Sequence, residues 1–157
     1  MEVGARAATA SDLEILTDLA ATAIDELTPK RGGDVWRREA ARSEPLEDSL
    51  RADLDDDANH VVAGTIDEVP VGYAAVRVET LRDGTKLGRV TDLFTLADAR
   101  AVGVGEAMMN DLMAFCANRG CFGVDSLALP GDRHTKNFFE SFGLVARAIV
   151  VHRSLDS

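Results

Sequence analysis

The densest chemistry-bearing spacing in the chain is Arg100-Ala101-Val102-Gly103-Val104-Gly105-Glu106. Two glycines one residue apart let a backbone turn come close to an anion, and the amides that open a following helix have no partners inside it. The positive end of the helix dipole adds to this, so such a turn suits a pyrophosphate, with Arg100 as a fixed charge beside it. The same glycines also suit tight packing of helix on strand, and the spacing alone leaves both roles open. Two phosphate motifs are excluded. The dinucleotide fingerprint needs a third glycine where Met108 stands, and the P-loop needs a Gly-Lys-Ser or Gly-Lys-Thr that is absent.

Asp92, in the apolar run RVTDLFTL, is the second position of interest. Strict strand alternation puts Val90, Asp92 and Phe94 on one face, so the carboxylate lies in a polar cleft or needs a partner. Glu79 is a second, more exposed acid. Proton donors are offered by Tyr73, Ser126, Asp132 and His134, although Asp132 equally reads as a helix cap, His134 as a first-turn residue and Tyr73 as part of a strand face. Trp36, the single tryptophan, follows the glycine-containing loop PKRGGD and reads as a core aromatic or a pocket wall. Cys116 and Cys121 are too few for a disulfide scaffold and show no metal-site spacing.

Charge narrows the partners. The chain of 157 residues carries a formal net charge of −10, with acid concentrated in DLDDDANH from Asp53. Such a surface repels a nucleic-acid backbone and leans towards cationic partners such as amines. There is no basic leader with an apolar run behind it and no apolar segment long enough to span a bilayer. A cytoplasmic protein that engages neither membrane nor nucleic acid is expected.

These residues must be held by an α/β domain. VGARAAT reads as a first strand, and SDLE, with Ser11 and Glu14, as a capping box opening a helix that ends near Leu27. Residues 34–54 are helical by pattern, divided by Pro45. HVVAGTI, PVGYAAVRVETL and KLGRVTDLFTL form a meander of three strands. Residues 105–118 form an amphipathic helix closed by Gly120, and CFGVDSLALP a strand parallel to the one before the helix and buried on both faces. Asp132 caps a short helix closed by Gly143, and LVARAIVVHRSL is a last strand.

In this order of elements, RAVGVG (100–105) and FFESFGL (138–144) together resemble the two signatures of the GCN5-related N-acetyltransferase (GNAT) superfamily. The resemblance covers nearly the whole chain as one domain, 1–157. It implies a mixed, mostly antiparallel sheet of six to seven strands flanked by about four helices, with the fourth and fifth strands splayed. The activity implied is transfer of an acetyl group from acetyl-CoA, the co-substrate, to a primary amine by direct attack, without a metal.

By the same resemblance, the backbone of Leu93, Phe94, Thr95 and Leu96 would pair with the pantetheine arm like an added strand. Arg100, Ala101, Val102, Gly103, Val104, Gly105 and Glu106 would surround the pyrophosphate, and Asp132, Asn137, Phe138 and Phe139 would face the cofactor from the next helix. Asp92 would be the base, acting through water. The family's usual acid is a tyrosine where this chain has Phe139, so Tyr73 takes that role among the catalytic candidates. Phe139 also motivates an alternative, a catalytically weak acyl-CoA-binding sensor or interaction module. The apolar last strand suggests a homodimer, since its edge would otherwise be exposed.

Overall fold

The computed structural model describes residues 1–155. Its five strands are β1 (Val3–Ala7), β2 (Asn59–Ile66), β3 (Val69–Thr80), β4 (Lys86–Thr95) and β5 (Cys121–Ser126), and its five α-helices are α1 (Leu13–Leu27), α2 (Gly33–Glu39), α3 (Leu46–Asp55), α4 (Val104–Asn118) and α5 (Arg133–Ser141). The strands lie in sequence order in one sheet, antiparallel except for β4 and β5, which are parallel across the α4 crossover.

Two apolar layers sandwich the sheet. On one face, Leu16, Leu19 and Ala20 of α1 and Leu50 of α3 pack on Val61, Tyr73, Ala75 and Phe94. On the other, Val104, Met108, Met109, Leu112 and Cys116 of α4 pack on Val62, Ala74, Val76 and Val90, with Phe139 of α5 beside them. The close seat of α4 depends on Gly64 of β2: a Cβ there would stand 2.5 Å from Val104 Cγ1 and 2.7 Å from Met108 Sδ. The β2–β3 hairpin turns through Asp67 and Glu68, both left-handed at φ 48° and 68°, a two-residue turn whose twist matches the strands.

Five expectations from the sequence are corrected. The box that opens α1 lies two residues earlier than Ser11 and Glu14: the Thr9 amide donates to Asp12 Oδ2 at 2.9 Å, and Arg6 donates to both oxygens of Asp12 at 2.8 Å. Strand β5 is not buried on both faces, because it is an edge strand and Phe122 is 68% exposed. Residues 144–155 form no strand, so the sheet has five strands rather than six to seven, and the Pro45 break gives five helices rather than about four.

The fifth correction bears on the site. Val90 does not share a face with Asp92 and Phe94. In the β3–β4 ladder Ala75 pairs with Asp92 and Val76 with Val90, so Thr91 is an extra residue in β4. A bulge of one residue moves the rest of the strand to the opposite face. Val90 therefore packs under α4, whereas Phe94 packs under α1.

Candidate functional site

The bulge at Thr91 is also where β4 loses its second neighbour. Pairing with β5 runs only from Lys86 with Cys121 to Val90 with Ser126, while pairing with β3 continues to Thr95 with Gly72. Residues 91–95 thus have an open edge on the β5 side. The Leu96 amide donates to the Val71 carbonyl at 2.8 Å, on the β3 side, so alternation turns the backbone groups of Leu93 and Thr95 towards the opening. Phe94 instead pairs with Tyr73 and sends its ring to the α1 face.

The open edge leads into the glycine turn. After a short 3-10 turn at Ala97–Ala99, Ala101 and Gly103 are both left-handed, at φ 66° and 100°. A left-handed alanine is strained, and glycine avoids that cost at 103. The first helical hydrogen bond of α4 runs from the Ala107 amide to the Gly103 carbonyl at 3.0 Å, which leaves the amides of Val104, Gly105 and Glu106 without partners inside the helix. Ala101, Val102, Gly103 and Glu106 are exposed. A Cβ on Gly103 would come no nearer than 3.9 Å to Val3, so glycine is required there by conformation and not by crowding.

Arg100 is engaged within the chain. Its Nη2 donates to Glu26 Oε2 at 2.7 Å, its Nε donates to the Thr95 carbonyl at 2.8 Å, and the guanidinium lies 5.5 Å from the Phe94 ring centroid. The hydrogen bond and charge of Glu26 hold the guanidinium above its usual pKa range. Beside this pair an open cavity of about 560 Å³ is lined by Thr22, Glu26, Phe94, Leu96 and Asp98, among others.

The signature helix α5 faces the turn. Asp132 stands at the N-cap position but, against expectation, its carboxylate bonds no first-turn amide; it accepts from the Thr135 hydroxyl at 2.6 Å and pairs with Lys30 at 3.6 Å. The Phe138 ring lies against Gly105, where a Cβ would meet it at 3.4 Å, and Phe139 is buried in the α4 layer. Asn137 and His134 are exposed. The α1–α2 loop closes on the loop before α5: a Cβ on Gly131 would stand 2.9 Å from the Arg31 amide nitrogen. Trp36, on α2, is half-buried.

Asp92 and Tyr73 are brought together, along with a cation not singled out in the sequence. The Tyr73 hydroxyl donates to Asp92 Oδ2 at 2.6 Å. Arg42, from the segment between α2 and α3, donates to both oxygens of Asp92 at 3.0 and 2.7 Å, to Asp53 at 2.7 Å and to Ser49 at 3.0 Å. Thr91 Oγ1 donates to Asp92 Oδ1 at 2.7 Å. The Arg42 and Asp92 side chains are only 4% and 8% exposed. Asp92 and Asp53 outweigh the cost of burial and hold the Arg42 guanidinium strongly protonated, while burial first and the Asp92 charge second push the Tyr73 phenol well above its usual range.

Asp92 thus accepts four hydrogen bonds, and Tyr73 is 2% exposed. The sequence signal for Arg42 was only that a carboxylate on that face lies in a polar cleft or needs a partner; it did not say which partner. Among the remaining candidates, Glu79 is tied to Arg77 and Arg89 on the surface, and Ser126 ends β5. Among the described residues no cluster of metal-ligating side chains occurs.

A mixed sheet whose fourth strand opens beside a parallel fifth, and whose open edge runs into a left-handed turn at a helix N-terminus, defines the GNAT class of fold. The model of the acetyltransferase (GNAT) family matches residues 22–144, and the chain belongs to that family. Comparison with curated proteins finds no match. Among solved structures, the fold is similar to a tetramutant of the BH1408 protein from Bacillus halodurans, with a TM-score of 0.80 and 17% identity over 99% of this chain and 100% of that one. It is also similar to AAC(6')-Iy in complex with the bisubstrate analog CoA-S-monomethyl-acetylneamine, with a TM-score of 0.75 and 16% identity over 100% of both chains. Glucosamine-6-phosphate N-acetyltransferase from Arabidopsis thaliana aligns with a TM-score of 0.69 and 17% identity over 99% of this chain and 100% of that one. At these identities the likeness is one of fold.

Proposed function

We propose that the protein is an N-acetyltransferase that moves an acetyl group from acetyl-CoA to a primary amine by direct attack. The observation that carries this reading is the open edge of β4 at residues 91–95, continuous with the turn at Ala101 and Gly103. An extended amide-bearing arm suits the backbone groups of Leu93 and Thr95, and a pyrophosphate suits the partnerless amides of Val104, Gly105 and Glu106. The reaction forms a bond from the amine nitrogen to the acetyl carbon, breaks the carbon–sulfur bond and releases the CoA thiol. A backbone amide of β4 facing the opening donates to the developing oxyanion.

We assign Asp92 and Tyr73 a positioning role in place of the expected base and acid. With four donors on its carboxylate, Asp92 has no lone pair free to take a proton from an amine, and the buried Tyr73 hydroxyl is spent on Asp92. Their cluster with Arg42 anchors the bulge that opens β4. In this reading the amine arrives neutral or loses its proton to water, and the thiolate leaves without a positioned acid. The Asp98 carboxylate at the cavity beside Phe94 favours a small cationic acceptor, since Glu26 there is already paired with Arg100.

The buried Phe139, which has no proton to give, favours a second reading, an acyl-CoA-binding sensor with little turnover. Calorimetric titration with acetyl-CoA, followed by a CoA-release assay against a mixed panel of amines, tests both. Binding with turnover of any amine supports the transferase. Binding without turnover supports the sensor, and no binding at high micromolar acetyl-CoA overturns both.

A further inference from the structure

The last carbonyl of the open edge is held from within the chain. Among the described residues Thr95 has no strand on its β5 side, and its carbonyl accepts from Arg100 Nε at 2.8 Å. On the other side, the next residue is fixed to β3 by the Leu96 amide, which donates to the Val71 carbonyl at 2.8 Å. Arg100 thereby stands in for the backbone donor that a longer β5 would have supplied, and the strand end is gripped from both sides. A guanidinium on a flexible stem does this well only if its far end is held too. Glu26, in the last turn of α1, holds it: Oε2 accepts from Nη2 at 2.7 Å.

The direction of the guanidinium decides what it serves. It lies 5.5 Å from the centroid of Phe94, which packs beneath α1, and its partner Glu26 belongs to α1, so the head of Arg100 stands on the α1 side of the sheet. Helix α4, whose first amides suit a pyrophosphate, packs on the opposite side. The end of α1 also reaches the other wall of the opening. Lys30 pairs with Asp132 at 3.6 Å, and a Cβ on Gly32 would meet Pro130 at 3.5 Å and Leu129 at 3.6 Å. Helix α1 and the loop after it therefore touch both the strand end at Thr95 and the segment that follows β5.

We propose that Glu26 is a positioning residue for the pantetheine arm: through Arg100 it fixes the Thr95 end of the edge along which the arm lies, and Arg100 serves the arm rather than the pyrophosphate. This rests on the acetyltransferase reading above. Arg100 and Glu26 are 43% and 33% exposed, where an ion pair adds little stability, so the pair suits alignment of a strand end and not cohesion of the fold. The sign of its effect on binding differs from that of charge alone. Acetyl-CoA is an anion, so deleting a nearby carboxylate favours it electrostatically, and also frees a cation for phosphate. Loss of positioning works the other way.

Calorimetric titration of the full chain with acetyl-CoA, and separately with phosphoadenosine diphosphate, the nucleotide half that lacks the arm, tests the proposal. Glu26→Ala should weaken acetyl-CoA about tenfold, the worth of one charge-assisted hydrogen bond, while the nucleotide half binds at least as tightly as to the wild type. Arg100→Met should weaken acetyl-CoA more than the nucleotide half. In both ligand-free variants amide exchange at Thr95 and Leu96 should quicken, with the urea midpoint close to that of the wild type. Acetyl-CoA binding to Glu26→Ala that equals or exceeds the wild type, or equal losses for acetyl-CoA and the nucleotide half in either variant, overturns the proposal and leaves the acetyltransferase reading standing. No binding of acetyl-CoA to the wild type overturns that reading and this proposal with it.

Discussion

Replacing Arg42 by Met removes the cation that holds the α2–α3 segment to β4. Its four hydrogen bonds to Asp92, Asp53 and Ser49 vanish, and Asp92, only 8% exposed, is left without an opposing ion. Breaking a buried ion pair from one side costs about 3–5 kcal/mol, because the remaining charge stays desolvated. Asp53 is a quarter exposed and rehydrates, so it adds little. Against a total stability of about 5–15 kcal/mol for an ordinary domain the loss is large. With a urea slope of about 1.5 kcal/mol/M it moves the unfolding midpoint down by about 2–3 M.

Asp92→Asn leaves Arg42 its partner Asp53 and costs less, about 1–3 kcal/mol. The double variant carries no stranded Asp92 charge, so its loss falls short of the sum of the two single losses by more than about 1 kcal/mol. Urea unfolding at neutral pH, followed by circular dichroism, measures all three. An Arg42→Met loss below about 1 kcal/mol, or strict additivity in the double variant, refutes the view that this ion pair anchors the β4 bulge.

The phenol of Tyr73, the only tyrosine in the chain, is pushed well above its usual range by burial, so ultraviolet titration should show no tyrosinate until the protein unfolds in alkali. Burial likewise raises the Cys116 thiol to about 11; iodoacetamide at mildly alkaline pH should spare Cys116 in the native state and modify it once urea unfolds the chain. The hydrogen bond from Arg6, before all other causes, holds the Asp12 carboxyl below its ordinary 3.8. The sign is that of a depressed acid: the stability it contributes is fully present above that ordinary value and is lost as pH falls through the folded one, so Asp12→Asn should flatten the acid limb of a stability–pH curve. Gly103→Val forces a branched side chain into φ 100°, and should weaken acetyl-CoA binding at least tenfold in calorimetry while the chain still folds.

Element order, the parallel β4–α4–β5 unit and the cap positions at Gly120 and Asp132 are legible in local sequence patterns, because periodicity and turn residues act over a few positions. The glycine turn was visible for the same reason. The features that escaped were non-local. Thr91 looks like any strand residue, yet as the extra residue of a bulge it sends Val90 and Asp92 to opposite faces. Arg42 is one of many cations in sequence and becomes the partner of Asp92 only through a contact fifty residues away. Residues 144–155 have the composition of a strand, but a strand exists only where an edge receives it, and within one chain that pairing is not made.

The central claim, that acetyl-CoA lies along the open edge of β4 and against the turn before α4, is tested most directly by amide hydrogen exchange with and without saturating acetyl-CoA. Marked slowing is expected at Leu93, Thr95, Val104, Gly105 and Glu106, with the paired residues of β1 and β2 unchanged. Unchanged exchange at those five amides, or protection confined to another part of the molecule, would contradict it.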